Sequence, residues 1–254
     1  MSLYITGDTH ADFGRFNTEN FPQQKEMTAD DVVIIAGDFG GVWNDNARER
    51  WWLDWLESKS FTICFVDGNH ENFDRLYSDE FEIVNFHGGK AHKIRKNIYH
   101  LIRGHVFEFE GRKFFAFGGA SSHDIQDGIL DPVDFESEDE FKRVYKEWCF
   151  DFKRFRVNHV SWWKEELPSR EEMGFGIENL EKHNWKVDYV ITHCMPKEVC
   201  SVMGFRDSDS LTRYFNELIR NGLKFKEWHA GHYHFQDRIM GKYYVHYGEI
   251  VRII

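Results

Sequence analysis

Short apolar runs that end in a polar turn recur five times along this sequence, and they constrain its fold more than any other feature. The clearest run, residues 61–66, is rich in β-branched and aromatic residues, which predicts a buried strand. It leads into Gly68-Asn69-His70-Glu71, where glycine permits a tight turn and polar side chains follow. The other four runs are 3–6, 31–36, 187–192 and 225–230. Because α/β folds build sites at the carboxyl ends of such strands, we expect these turns to form one site.

Segments with helical periodicity alternate with the predicted strands. Residues 46–59 carry three tryptophans and a leucine at helical spacing, which predicts an amphipathic helix packed on a sheet. A short helix is expected at 73–77, and Ser169 with Glu172 forms a capping box for a helix running towards His183. This alternation predicts a partly parallel sheet with helices outside it.

The middle and end of the chain have a different character. Residues 106–109 and 113–117 flank Glu110-Gly111, which predicts a β-hairpin. We interpret 121–168 as an insertion with its own helix, within a single domain that spans 1–254. One face of that helix is predicted to carry Phe141, Val144, Tyr145, Trp148, Phe152 and Phe155. A helix at 211–219, a hairpin around Gly241 and a strand at 250–254 complete the prediction.

Composition excludes several classes of protein. With 254 residues and 41% hydrophobic residues the chain has enough apolar side chain for a large core, and no run is long enough for a transmembrane helix. The net charge of −11 argues against extended nucleic acid as a partner without excluding it. The first residues enter a strand-like segment without a signal peptide. The four cysteines lack zinc-type spacing, so we expect buried free thiols in a cytoplasmic protein.

Polar side chains that follow the five strands have the chemistry of metal ligands. They are Asp8, His10, Asp38, Asn69, His70, His193, His232 and His234. Asp-x-His and His-x-His spacings project two side chains to the same side of an extended segment. A single His-x-His pair is more often a surface feature, but all five sets together favour a metal site. Carboxylate, imidazole and amide donors without thiolate suit manganese, iron or zinc.

The ordered set of motifs resembles the calcineurin-like metallophosphoesterases. The motifs are Gly-Asp-Thr-His from Gly7, Gly-Asp-Phe-Gly-Gly from Gly37, Gly-Asn-His-Glu from Gly68, Thr-His from Thr192 and Gly-His-Tyr-His from Gly231. The resemblance implies a four-layer α/β/β/α sandwich with an inserted helical segment and a centre of two divalent or trivalent metal ions. One metal would be held by Asp8, His10, Asp38 and His234. Asp38 would bridge to the second metal, which Asn69, His193 and His232 would also hold.

The resemblance also implies phosphoester hydrolysis. Two cations can deprotonate a water and neutralise phosphoryl oxygens, so that a hydroxide attacks phosphorus in line with the leaving group. His70 matches the family's catalytic histidine, which binds no metal and would assist the departing oxygen. The expected substrate is a phosphorylated small molecule or a nucleotide, and no membrane partner is expected.

The sequence departs from the serine/threonine protein phosphatases of that superfamily. Gly41 and Val42 stand where those enzymes have aspartate and arginine, and Asp67 replaces a second arginine. Two guanidinium groups that could clamp phosphate are therefore missing. This favours a phosphodiesterase or a hydrolase of small phosphoesters over a protein phosphatase. The usual carboxylate partner of the catalytic histidine is missing too, and Asp45, Asp67 or Glu71 could take its place.

Several features remain open from sequence alone. His123 and Asp124 could face the site, although solvated loop residues are the favoured interpretation. Tryptophans at 148, 162 and 163 either wall a pocket that stacks a base or, as we favour, form the core of the insertion. The basic stretch 90–103 either meets a polyanion or, as we favour, forms an exposed strand face. A non-catalytic scaffold, or a module that binds nucleotides without turnover, is the alternative from another functional class.

Overall fold

Two β-sheets pack face to face in the computed structural model, which describes residues 1–254. The strands are β1 Leu3–Thr6, β2 Val32–Ile35, β3 Thr62–Phe65, β4 Glu82–Phe86, β5 Gly89–Arg95, β6 Ile98–Leu101, β7 His105–Phe109, β8 Arg112–Phe117, β9 Gly128–Leu130, β10 Phe155–Val157, β11 Tyr189–Thr192, β12 Glu227–Ala230, β13 Asp237–Ile239, β14 Tyr243–Val245 and β15 Val251–Arg252. The helices are α1 Ala47–Glu57, α2 Phe73–Leu76, α3 Glu138–Phe150, α4 Arg170–Lys182, α5 Lys197–Val202 and α6 Ser210–Arg220.

Parallel pairing orients the strands that carry the motifs. The first sheet has seven strands in the order β15-β1-β2-β3-β6-β5-β4, and β1, β2, β3 and β6 run parallel. The second has six in the order β13-β14-β12-β11-β8-β7, with β8, β11, β12 and β14 parallel. β1, β2 and β11 are buried along their whole length, as their apolar runs predict. Within each sheet, the carboxyl ends of the motif strands therefore lie at one edge.

Three buried apolar clusters show the layers. The cluster between the sheets joins side chains such as Ile34 of β2 with Ile191 of β11. A second cluster packs Leu53 of α1 against the outer face of the first sheet. A third packs α4, α5 and α6 against the outer face of the second sheet, with Phe215 near its centre. The layers are therefore helix, sheet, sheet and helix, and the expected α/β/β/α sandwich is confirmed.

Most expected elements are present, with differences at their ends. The predicted capping box forms at the start of α4, where Ser169 and Glu172 accept each other's backbone N–H groups. The basic stretch 90–103 forms the strands β5 and β6, with Lys90 and Lys93 exposed on β5. Strands β4 and β9 and helix α5 were not expected. They are short, and their sequences lack clear periodicity.

The helix of residues 121–168 is shorter than the sequence predicts. α3 ends at Phe150, and Phe152 beyond it has a positive φ of 53° and is 92% exposed. Phe155 belongs to β10, where its ring contacts Trp148 at 5.1 Å. The apolar residues keep helical spacing in the sequence although the helix itself ends at Phe150, so the expectation that all six lie on one helical face was wrong.

The cysteines and helices bear on two further expectations. Cys64, Cys194 and Cys200 are buried and free, whereas Cys149 on α3 is exposed, contrary to the expectation of burial. It is exposed because no other layer covers that side of α3, none of whose residues is buried. None of the six helices has the length and apolar character needed to cross a bilayer.

Candidate metal centre

Five strand ends from the two sheets meet at one place. β1 delivers Asp8 and His10, β2 delivers Asp38, and β3 delivers Asn69 and His70. From the second sheet, β11 delivers His193, and β12 delivers His232 and His234. Hydrogen bonds join the two sheets here, because Gly7 N–H donates to the Tyr247 carbonyl and His232 N–H donates to Asp8 Oδ1 at 2.8 Å. The structure therefore brings together all eight residues that the motifs single out.

Four of these residues form a first group. His234 Nε2 lies 3.0 Å from Asp8 Oδ2 and 3.2 Å from His10 Nε2. His10 Nε2 also lies 3.7 Å from Asp38 Oδ2. Asp8, His10 and His234 therefore have the spacing of ligands to one cation, with Asp38 beside them.

The other oxygen of Asp38 faces a second group. Asp38 Oδ1 lies 3.3 Å from His193 Nε2, and the rings of His193 and His232 are 4.9 Å apart. His193 Nδ1 donates to the carbonyl of Ala36 at 2.7 Å, which leaves Nε2 free to bind a cation. Asp38 thus lies between the two groups.

Unpartnered buried atoms test whether these residues fit metal ions. Asp8 Oδ2, Asn69 Oδ1 and His193 Nε2 are buried and make no well-aligned hydrogen bond, and the polar atoms nearest Asp8 Oδ2 and His193 Nε2 belong to other candidate ligands, His234 and Asp38. A buried polar atom without a partner costs about 1–3 kcal/mol, so three in one place need compensation. Bound cations would supply it. The donor set therefore fits bound metal ions.

The charges of the centre point the same way. Burial alone would raise the pKa of Asp38, but the surrounding histidines, His193 first, hold it well below its usual range. Burial alone would lower the pKa of His193, but the carboxylates of Asp38 and Asp8 outweigh burial and raise it to about 10. The excess of buried negative charge draws a proton here, and it would equally stabilise a cation.

The backbone is constrained at four of the seven candidate ligands. His10, Asp38, His232 and His234 all have positive φ, between 44° and 70°, which is unfavourable for residues with a side chain. At Gly68 a Cβ atom would lie 2.0 Å from Asp38 Oδ1, so only glycine allows that close approach. The tight turns after the strands hold the ligands in place at a cost in backbone strain.

His70 lies beside the centre but is not one of its candidate ligands. Its backbone N–H donates to Asp38 Oδ1 at 2.8 Å, and its ring contacts the ring of His10 edge to face at 5.1 Å. Burial lowers the pKa of His70, the Asp38 carboxylate opposes that shift, and the charges of Arg156 and His10 add to it. The ring of His70 makes no hydrogen bond within the chain, so its nitrogens are free to meet a substrate.

None of the three carboxylates suggested as partners of His70 contacts its ring. Asp67 accepts hydrogen bonds from Arg103 and from His100 Nε2, the latter at 3.1 Å. Glu71 accepts the backbone N–H groups of Phe39 and Gly40 at 2.7 and 3.2 Å, and Asp45 pairs with Arg50 on the surface. Glu71 supports the turn after β2, Asp67 belongs to a buried ion pair and Asp45 to an exposed one, so none of the three orients the histidine.

The Asp67–Arg103 pair gives a prediction about stability. Both side chains are buried, so Asp67→Asn would leave the Arg103 charge with only the partly exposed Glu172 carboxylate, 3.5 Å from Nη1, to oppose it. We expect unfolding to become easier by about 3 kcal/mol, measured as a lower urea midpoint. Asp45→Asn removes an exposed ion pair and should change stability by less than about 1 kcal/mol. Equal midpoints for the two variants would contradict this role of Asp67.

Sequence reasoning missed three residues around the centre. Arg15 donates to the carbonyls of Asp8 and Tyr247, both at 2.6 Å, and so fixes the turn after β1. Arg156 on β10 binds Asp124 through Nε, 2.9 Å from both carboxylate oxygens. Asp207 lies 3.7 Å from His123. All three lie outside the motifs, so only their place in the fold reveals them.

A cleft of about 340 Å³ opens beside His10 and His70. Trp43 and Trp52 form its aromatic walls, and Arg48 lies on its rim. The Glu49 carboxylate fixes this wall by accepting the backbone N–H groups of residues 43–45 at 2.8–3.1 Å. The volume is at the low end for small-molecule sites.

Aromatic contacts also decide how two tryptophans of residues 121–168 are used. Trp163 is buried and packs edge to face on Trp43 at 5.4 Å, and its Nε1 donates to Asp74. Trp148 packs on Phe155. Neither ring lines the cleft beside His70. Trp148 therefore packs within the insertion, as favoured from the sequence, whereas Trp163 packs against the rest of the domain through Trp43 and Asp74.

Comparison with known proteins agrees with the motifs and the fold. The family model described as calcineurin-like phosphoesterase matches residues 1–236 of the 254-residue chain. A search of curated proteins finds no match. The family model covers most of the chain and every residue of the candidate centre. The chain therefore belongs to the calcineurin-like phosphoesterase family.

Proposed function

We propose that this protein is a two-metal-dependent phosphohydrolase that acts on a small phosphoester. The observation that carries the proposal is the convergence of unpartnered buried donor atoms around Asp38, with the free ring of His70 next to them. Asp8, His10, Asp38 and His234 would hold one metal, and Asp38, Asn69, His193 and His232 the other. Manganese, iron and zinc all suit this mixture of oxygen and nitrogen donors.

The metal ions would supply an activated water and neutralise the charge of the phosphoryl oxygens. The protein's own contribution includes the fixed position of His70. Its backbone bond to Asp38 and its contact with His10 hold the ring between the candidate centre and the cleft. A leaving group in the cleft would have its oxygen next to the imidazole, which would donate a proton to it.

The surroundings of the centre favour diesters and other small substrates over phosphoproteins. The two arginines of the protein phosphatases are missing, and the Asp124 carboxylate partly neutralises Arg156. A doubly charged monoester would therefore lack a bidentate partner. The cleft offers room for the second ester group of a diester, such as a nucleotide. The three buried free thiols favour a cytoplasmic location.

The direct test compares bis-p-nitrophenyl phosphate with p-nitrophenyl phosphate, using metal-stripped protein reloaded with manganese. We expect kcat/KM to be higher for the diester by roughly tenfold or more, because a missing charge-assisted hydrogen bond is worth about 1.5–3 kcal/mol. The measurement is release of p-nitrophenolate, with metal-stripped protein as the control.

Two results would contradict the proposal in different ways. A higher kcat/KM for the monoester would favour a protein phosphatase despite the missing arginines. No turnover of either ester, by protein shown to hold two metals, would favour a module that binds phosphorylated ligands without hydrolysing them.

A further inference from the structure

The loop Ser122-His123 contacts two candidate ligands of the second metal. His123 Nε2 lies 2.7 Å from His232 Nε2, and the two rings are 4.7 Å apart. Ser122 Oγ lies 3.4 Å from Asn69 Nδ2. Neither loop residue belongs to the donor set proposed above. Two neighbouring residues thus reach His232 and Asn69 from outside that set.

Ser122 explains which way the Asn69 amide faces. Its hydroxyl donates to Glu166 Oε2 at 2.6 Å, and its backbone N–H donates to Glu166 Oε1 at 3.0 Å. The Ser122 oxygen can therefore accept from the Asn69 amide nitrogen. This bond directs Asn69 Oδ1, which is buried without a partner, towards the candidate centre. The Asn69 amide is therefore held with its oxygen free to bind a metal ion.

Asp207 lies next to the His123 ring, on the side away from His232. Its Oδ1 lies 3.7 Å from His123 Nδ1, and its Oδ2 is buried without a hydrogen-bond partner. Asp207 comes from the segment between α5 and α6, far from His123 in sequence. A carboxylate on this side of the ring favours a proton on Nδ1 of His123. His123 Nε2 is then a hydrogen-bond acceptor.

The tautomer of His232 follows from that of His123. Two ring nitrogens 2.7 Å apart form a hydrogen bond only when one of them carries the proton. With His123 Nε2 as acceptor, His232 donates from Nε2, and its lone pair is on Nδ1. Asp207 and His123 thereby determine which nitrogen of His232 can bind a cation. Carboxylate-to-histidine pairs orient metal ligands in the same way in other proteins.

We propose that His123 and Asp207 are positioning residues for the second metal of the centre, acting through His232. This inference rests on the proposed metal centre but adds two residues to it. Ser122 acts in parallel on Asn69, so one loop controls two of the four ligands of the second metal. The first metal's group has no such contact with this loop. The effect of changing His123 should therefore fall on one metal only.

The test is a manganese titration of metal-stripped protein, with free Mn²⁺ measured by electron paramagnetic resonance. We expect the wild-type chain to bind two ions. In His123→Ala one of them should bind about 10–100-fold more weakly, the usual cost of losing such a partner, and the other should be unchanged. His123→Gln, whose side-chain oxygen can still accept from His232, should recover part of the affinity, and Asp207→Asn should lose part of it.

His159→Ala is a matched control, because His159 also pairs with an aspartate, Asp74, but contacts no candidate ligand. It should bind both ions as the wild type does, and thermal melts should show each variant folded. Wild-type affinity for both ions in His123→Ala would overturn the inference. Three ions in the wild type and two in His123→Ala would also overturn it, since His123, Asp207 and His232 would then bind metal themselves. Normal binding without turnover would refute only the proposed function.

Discussion

Asp38→Asn is expected to lower kcat for bis-p-nitrophenyl phosphate by about 10⁴-fold, or about 5 kcal/mol in activation free energy. The Asp38 carboxylate faces both groups, with Oδ2 3.7 Å from His10 Nε2 and Oδ1 3.3 Å from His193 Nε2. The amide lacks the negative charge that would hold two cations together, and one of its two donor positions becomes an NH₂ group. Both proposed metals should therefore bind weakly.

The same variant separates loss of metal from loss of fold. The asparagine oxygen can still accept the backbone N–H of His70, so the turn should persist and the melting curve should stay close to wild type. Asp12→Asn is the control, because Asp12 lies in the exposed loop after β1 and only accepts the N–H of Gly14. Activity of Asp38→Asn within tenfold of the control would show that Asp38 does not bridge two metals.

The metal-binding motifs could be predicted from sequence because each is local. A buried strand such as Val32–Ile35 is visible as an apolar run, and its candidate ligand, Asp38, comes three residues after the strand ends. Five buried strands that each end in polar residues, and that pair in parallel, place those polar residues together at the carboxyl edge of the sheets. That is why Asp8, His193 and the other motif residues could be placed together before any coordinates were known.

The supporting contacts could not be predicted, because they join distant segments. Asp67 replaces an arginine of the protein phosphatases and could have oriented His70 by proximity in sequence. In the fold it is buried against Arg103 and His100, which come from the end of β6 and just beyond it. The partner of the Asp67 carboxylate is set by the residues that the neighbouring strand places beside it, and not by its position next to His70 in the sequence. Only the strand order, with β6 next to β3, shows this.

Periodicity also failed where packing did not enforce it. Phe152 continues the apolar spacing of α3, yet it is exposed beyond a turn. The sheet buries one side of a helix such as α6, so apolar residues at helical spacing stabilise that helix along its length. In α3 no residue is buried, so nothing requires the helix to continue as far as its apolar spacing does. The pattern on α3 therefore predicts a helix correctly and its length poorly.

His70→Ala should slow hydrolysis in proportion to the basicity of the leaving group. For an alkyl diester such as a dinucleoside phosphate we expect kcat to fall about 10³-fold, within the usual contribution of a general acid. For bis-p-nitrophenyl phosphate, whose leaving group departs without protonation, the loss should stay within about tenfold. Manganese binding should not change, because His70 contacts Asp38 only through its backbone N–H, which alanine retains. Equal losses for both esters would show that His70 binds the phosphoryl group and does not protonate the leaving oxygen.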